Sequence, residues 1–352
     1  MTLHPAQRGH PDYAFRWELL TLHGTHDGWL KNITDGRLER NVHAEHRASL
    51  TATVTLPAGD QSIDWTQVMI RPWVRVNGVE YPLGTFLPAI PEPQQTAAAT
   101  VIPVTALDRT LRLSQHKTGT YRTVAEGQNL VAAMAGFIRD ADPFSPTVAI
   151  TPSTETARSP MFWGPEDSTL RIVNDLAQSL NYLAPWADEW GTYRAAPYVL
   201  PRYRPTEWEY TYGPDSRHLP HVSEEHNLNE VANRVIVMGN PSTSGDLGYV
   251  GVADNNDPDD PLSIPTIGVR AREYTGQDVA SQAAADGLAA RYLVEARQTY
   301  RNVRFRHVWA PHDMHTAGDI RLSWGPSYRG TLTKTSWELR PGALVDATVR
   351  EV

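Results

Sequence analysis

One helix followed by one hairpin, set in the middle of a chain that otherwise reads as strands, limits the available architectures. The stretch is DSTLRIVNDLAQSLNYLAPWADEWGTYRAAPYV, residues 167–199. Asp167 or Ser168 can cap a helix by accepting a backbone N–H of its first turn. Leu170, Ile172, Val173, Leu176, Ala177 and Leu180 recur at helical spacing and make one apolar face, which predicts a helix over 168–181. Asn181 suits the left-handed position just past the helix end. Residues 182–186 and 192–199 read as two strands about the turn Asp188-Glu189-Trp190-Gly191, giving a hairpin over 182–199. A helix with a hairpin is a small α+β unit. With β-structure on either side, it is expected to be the joint between two β-rich halves.

Residues 1–13 read as a polar extended arm with Pro5, Gly9 and Pro11. Strands are expected at 15–22, 49–56, 68–76, 79–87 and 100–106. SLTATVTL places Leu50, Ala52, Val54 and Leu56 on one face, and Asn77-Gly78 is a strong hairpin turn. With no long helix among these strands, residues 1–118 are expected to form an antiparallel β-barrel or sandwich behind the arm. Leu130, Val131, Met134, Phe137 and Ile138 predict a helix over 128–140. It opens an α+β domain over 119–222 that also holds the central helix and hairpin, with 201–220 as irregular wrapping rich in Tyr, Arg and Pro. Residues 223–352 are expected to form a second β-barrel unit. Its strands are 233–238, 303–309, 319–324, 330–339 and 347–351, with a loop and a helix inserted over 240–300. That helix, about 278–297, turns Leu288, Tyr292, Leu293 and Ala296 inward. The fold class is therefore α+β and β-rich.

Composition supports this and removes several functions. Eleven Trp and 14 Tyr against six Phe favour pleated, half-buried surfaces, and 27 Pro with 24 Gly imply many turns. A formal charge of -8 argues against affinity driven by phosphate contacts, though not against DNA passing nearby. With no cysteine, disulfides, thiol nucleophiles and cysteine zinc sites are excluded. No signal-peptide pattern opens the chain, and no apolar run reaches the ~18 residues of a membrane helix. It reads as a soluble protein assembled in a cytoplasm, with no membrane insertion of its own.

Chemistry is hard to find. Phosphate-binding glycine motifs and the nucleophile elbow are missing, and Gly245, Gly248 and Gly251 sit in a polar loop as a conformational feature. Four histidine pairs stand three apart, His23/His26, His43/His46, His218/His221 and His312/His315. On strands that spacing puts two imidazoles on opposite faces, so solvated loop histidines are the plain reading against a metal site. Asp254, Asp257, Asp259 and Asp260 offer hard oxygens for calcium but lack the glycine and distal Glu of a calcium loop; the plain reading is a solvated loop. Trp186, Trp190, Trp208, Tyr210 and Tyr212 could stack on a sugar, against the commoner role of such aromatics in a core or interface. The acid pairs Asp188/Glu189 and Glu224/Glu225 lack the fixed separation a glycosidase requires. No catalytic residue, cofactor site or enzyme emerges.

Several segments, in order, resemble minor tail proteins of actinobacterial siphophages. They are SLTATVTL, IDWTQVMIRPWVRVNGVEYPLGTFLPAIP, VTALDRTLRL, the central helix-hairpin, EVANRVIVMGNP, DNNDPDDPLSIPTIGVR, AGDIRLSWG and SWELRPGALVDATVRE. The resemblance runs from about Phe15 to the C-terminus, although the turn at Asp188-Glu189-Trp190-Gly191 is one residue longer than expected. It implies a baseplate hub at the tail tip: two tail-tube-like β-barrels joined by smaller α+β domains, with three copies in a ring. It further implies partners in a distal tail protein, the tape-measure C-terminus and a central fibre or spike. Phage DNA would pass through unbound during ejection, and no active residues carry over. The alternatives are a receptor- or glycan-binding module at the same tip and, without a catalytic set, a cell-wall hydrolase.

Overall fold

The computed structural model describes residues 12–58, 63–89, 92–144, 146–214, 216–225, 231–241, 247–298, 302–322 and 327–351. Residues 1–11 of the arm expected over 1–13, Gly245 and Trp324 lie outside these residues, and Tyr13 already opens a strand. Where the sequence alternates apolar and polar residues, strands form with almost the expected limits, Ala48–Pro57, Val68–Val76 and Ala99–Asp108, while the strand expected at 79–87 divides into Val79–Pro82 and Phe86–Pro88. Asn77 and Gly78 both take positive φ, 50° and 84°, as a tight right-twisted hairpin turn demands.

These strands do not stay within the first half. One 15-stranded sheet runs, in order, from His218–Glu225 through Asn302–His307, Val345–Glu351, Tyr328–Glu338, Ile33–Asn41, Ala48–Pro57, Ala99–Asp108, Phe86–Pro88, Val68–Val76 and Tyr13–Thr21 to His26–Leu30. The crossing point is the antiparallel pairing of Tyr328–Glu338 with Ile33–Asn41, Lys334 opposite Asn41 through Glu338 opposite Arg37. No closed barrel is present among the described residues; the path is open, with His26–Leu30 and His218–Glu225 at its ends.

Side chains follow the backbone across the seam. The first core holds Trp17, Leu50, Val54, Ile70, Val74, Phe86 and Val104, together with Trp309, Trp337, Leu339 and Val345 from the far half. Trp309 and Trp337 stack at 5.4 Å and 14°, Tyr13 meets Trp337 edge-on at 6.1 Å, and the Tyr13 hydroxyl donates to the Trp309 carbonyl at 3.4 Å. Burial pushes the Tyr13 phenol up to about 12. Alternation along 330–339 marks an inward face but cannot say which core that face enters.

The middle of the chain builds a second core. Helix Leu130–Ala141 is capped by Asn129, which accepts from the Ala132 N–H at 2.9 Å, and helix Thr169–Ser179 is capped by Ser168. Their apolar faces meet over Leu113, Met134, Ile138, Val173, Leu176 and Tyr193. Asn181, at φ 51°, ends the second helix as expected. The hairpin is shorter than its predicted span, pairing Trp186–Ala187 with Tyr193–Ala195.

Three expectations change. Residues 201–220 are not irregular: Thr206–Thr211 is a strand that pairs in parallel with Ala317–Arg321 and sends Trp208 and Tyr210 into a core with Val303, Phe305, Ile320 and Val349. The antiparallel expectation for the second β-unit fails there and where Arg234–Gly239 joins Ala271–Gln277; within the α+β unit Val148–Ile150 joins Tyr193–Ala195, also in parallel. The strand expected at 233–238 forms as Arg234–Gly239 but leaves the large sheet, taking Val250–Asp254 and Ala271–Gln277 as neighbours beneath helix Gln282–Gln298. Gly251 permits that packing, since a Cβ there would stand 2.2 Å from the Ala285 carbonyl oxygen.

Because Trp337 belongs to one half by sequence and to the other by packing, Trp337→Ala is expected to cost about 3–5 kcal/mol. Both halves should lose stability in one denaturant transition, followed by tryptophan fluorescence and far-UV circular dichroism together. Two separate transitions, with only the C-terminal half affected, would contradict this account.

Candidate functional site

The central hairpin is where the other units converge, and arginines from several of them hold its backbone. From the first sheet, Arg71 Nη2 donates to the Trp190 carbonyl at 2.9 Å and Arg71 Nε to Thr85 Oγ1 at 3.1 Å, while Thr85 donates on to the Glu189 carbonyl. Arg40 pairs with the Glu189 carboxylate at 3.0 Å. Arg47 Nη2 donates to the Ala184 carbonyl at 2.7 Å, and Arg291, on helix Gln282–Gln298, to the Tyr182 carbonyl at 2.9 Å. The turn is shaped from within by Asp188, which accepts from the Trp190 and Thr192 N–H groups and pairs with Arg194 at 2.6 Å.

Beneath it the Tyr193 hydroxyl donates to the Arg109 carbonyl at 2.8 Å and lies 3.1 Å from the Asp142 carboxylate. Arg109 and Asp142 form a buried ion pair at 2.7 Å. Burial, with the Asp142 charge adding to it, pushes the Tyr193 phenol far up, so it stays a neutral donor. Charge-assisted bonds of this kind are the strong ones, and carbonyls with no strand partner are natural acceptors for them. The arrangement suits fixing a joint. It places no nucleophile beside a base.

The aromatic candidates divide between two places. Trp186 is half-buried beneath the Arg47 guanidinium, 5.5 Å from its ring centre. Trp190 is 54% exposed, edge-on to Trp73 at 5.4 Å with Arg71 over its ring. Trp208 and Tyr210 are 3% and 2% exposed, so neither offers an open ring face to a sugar here. Tyr212 is exposed.

The acidic run is occupied by local bonds. Arg234 forks onto Asp254 at 2.7 and 2.6 Å, and those bonds hold the Asp254 carboxyl below its usual range. Asp257 accepts from the Asp259 N–H, and Asp260 accepts from the Leu262 N–H and Asn255 Nδ2. Among the described residues no three His, Asp or Glu side chains stand close enough to hold a metal ion. Of the paired histidines, His23 meets Phe144, His26 meets Glu18, His46 meets Thr110 and His315 meets Arg47.

One buried polar chain was not anticipated. The Tyr210 oxygen lies 2.7 Å from His307 Nδ1 and 2.9 Å from His312 Nε2, and His307 Nδ1 is 2.7 Å from the Val308 carbonyl. A carbonyl only accepts, so His307 Nδ1 carries the hydrogen and the Tyr210 hydroxyl donates to His312. Burial pushes His307 down to about 4, with the positive tendency of His218 adding to it. The signal was present in NVRFRH, where Val303, Phe305 and His307 alternate inward.

No family model matches the sequence, and no curated protein matches it. Solved structures do match. The chain superposes on the tail protein from Neisseria meningitidis MC58 with TM-score 0.66 and 11% identity, covering 96% of each chain. On the 43 kDa tail protein of prophage MuSo2 from Shewanella oneidensis the TM-score is 0.65 at 12% identity, over 96% of this chain and 98% of that one. A component of the Escherichia coli type VI secretion system, itself similar to the T4 bacteriophage tail proteins gp27 and gp5, matches at TM-score 0.53 and 8% identity over 91% and 74%. At these identities the likeness is one of fold: the chain has the fold of phage tail proteins along nearly its whole length.

The buried His307 sets a pH dependence. Its folded pKa lies below the ordinary 6.5, so the unfolded chain binds the extra proton and stability falls as pH drops from about 6.5 to about 4. The loss at the acid end is about 3 kcal/mol. Burial raises the carboxyls of Asp175, Glu207 and Asp313, which oppose the trend, so the measurement is a difference. Urea titrations of wild type and His307→Gln across that range should show the variant losing less stability; parallel curves would exclude His307 as the source.

Proposed function

We propose that this protein is a structural component of a bacteriophage virion, the hub of the tail tip or baseplate. Three copies form a ring that joins the distal tail to a central fibre or spike, and the phage genome passes through it during ejection. The observation that carries this reading is the superposition, over 96% of the chain, on tail proteins from Neisseria meningitidis and Shewanella oneidensis.

In this reading 1–118 and 223–352 are the two tail-tube-like β-units, joined through one open sheet, with Thr206–Thr211 and the start of His218–Glu225 added to the second, and the rest of 119–222 is the α+β piece between them. Among the described residues the sheet ends at His26–Leu30 and His218–Glu225 have one strand partner each, which suits continuation into a neighbouring copy. A net charge of -8 suits a lumen along which DNA slides without adhering. The arginine-clamped hairpin gives the rigidity such a ring needs, and the role requires no bond to be made or broken by side chains. The collinear motifs favour a siphophage of an actinobacterium as the source. The neighbours would be the distal tail protein, the tape-measure C-terminus and the fibre or spike, met after assembly in the host cytoplasm.

Purified protein is expected to sediment as a trimer near 10 μM, an ordinary protein–protein affinity range. Antibodies against it are expected to label the tail tip in electron micrographs. A monomer at every concentration, together with label elsewhere on the particle, would overturn the proposal.

A further inference from the structure

Where the 41–47 loop, the hairpin, helix Gln282–Gln298 and the far β-half meet, four guanidinium groups gather: Arg47, Arg204, Arg291 and Arg350. Two of them flank one ring, with Arg204 at 5.3 Å and Arg291 at 4.8 Å from the centre of Tyr198. Arg47 Nη1 lies 3.1 Å from His315 Nε2, and Arg204 Nη1 donates to the His315 carbonyl at 2.7 Å. Burial, and then the positive charges of Arg47, Arg204 and Arg291 with His43, hold the His315 imidazole neutral.

The acceptors do not balance these charges. Arg47 is bonded to the Ala184 carbonyl, Arg204 to the Val199 and His315 carbonyls, and Arg291 to the Tyr182 carbonyl. Carbonyls satisfy N–H groups but leave the charge in place. Among the described residues only Glu295 makes an ion pair with any of the four, to Arg291 at 3.0 Å. Asp108 acts on Arg47 from farther off, but its oxygens already accept from the Ala48 N–H and from Thr110. Glu207 acts on Arg204 only from a distance. Arg350 is the outlier. Its Nε is buried with no hydrogen-bond partner among the described residues, and Glu295 and Tyr198 act on it through their charge. A buried guanidinium N–H with no acceptor is costly, and in a protein of net charge -8 a cluster of cationic groups runs against the general trend.

We propose that this arginine cluster is a binding site for a phosphate-class oxyanion, with Arg350 as its principal ligand and Arg204 and Arg47 completing the positive field. A tetrahedral oxyanion presents several acceptors at once and matches the planar fork of a guanidinium. The source is either free phosphate or the backbone phosphate of a nucleic acid strand, which share this chemistry.

The test uses the full chain and inorganic phosphate against sodium chloride at equal ionic strength, followed by melting temperature and by calorimetric titration. Phosphate also stabilises proteins by exclusion, without a site and without saturation. The expected result is therefore a saturable rise with phosphate, matched by Arg75→Met on the exposed part of strand Val68–Val76. Arg350→Met should weaken binding at least about tenfold. Arg350→Lys, which keeps the charge and loses the fork, should fall between and serves if the Met variant does not fold. A short single-stranded oligonucleotide that competes with phosphate makes the occupant a strand; one that does not makes it a free ion. A phosphate effect that never saturates in wild type, or survives unchanged in both Arg350 variants, overturns the site.

Discussion

Pairing between Tyr328–Glu338 and Ile33–Asn41 is the constraint on which the rest of the molecule depends. These strands are about 300 residues apart in sequence, and their alignment fixes how the two β-halves lie on each other. A slip of Tyr328–Glu338 by one residue would turn Trp337 from the core to solvent while Leu38, opposite it, kept its inward face. The tryptophan stack with Trp309 and the edge contact with Tyr13 penalise such a slip, so packing and hydrogen bonding specify one register. Contacts this distant in sequence form late and slowly, which argues that each half gathers its local hairpins before the seam closes.

Once the seam is set, the hairpin at the centre is held by polar contacts more than by apolar area. Its strands are only two and three residues long, too short to be stable alone. Arg40, Arg47, Arg71 and Arg291 compensate by bonding to its carbonyls and to Glu189 from three directions. Arginine suits this work because its charge is permanent and its donors are arranged in a rigid fork. The same choice concentrates positive charge where few carboxylates follow, and Arg350, its buried Nε without an acceptor among the described residues, is the residue of that imbalance.

Much of this was legible in the chain because local rules govern it. The alternation of SLTATVTL, the Asn77-Gly78 turn and the caps at Ser168 and Asn129 depend on neighbours within a few residues. What stayed hidden depends on partners far away. Nothing near Trp337 or Trp309 announces that they fill the other half's core, and Tyr-, Arg- and Pro-rich residues 201–220 concealed a strand whose partner is Ala317–Arg321. Trp208 and Tyr210 had the spacing of a binding platform and also the spacing of a buried strand face; only the tertiary partner decides, and it chose burial. The arginines that clamp the hairpin were invisible for the same reason, since a carbonyl acceptor leaves no mark in a sequence.

The five residue pairs from Lys334/Asn41 to Glu338/Arg37 also have a mechanical meaning. A force drawing the two halves apart along the strands would load all those rungs at once, as glue fails in shear, whereas a force across them would peel the rungs one by one. The molecule is therefore a stiff beam in one direction and a zipper in the other.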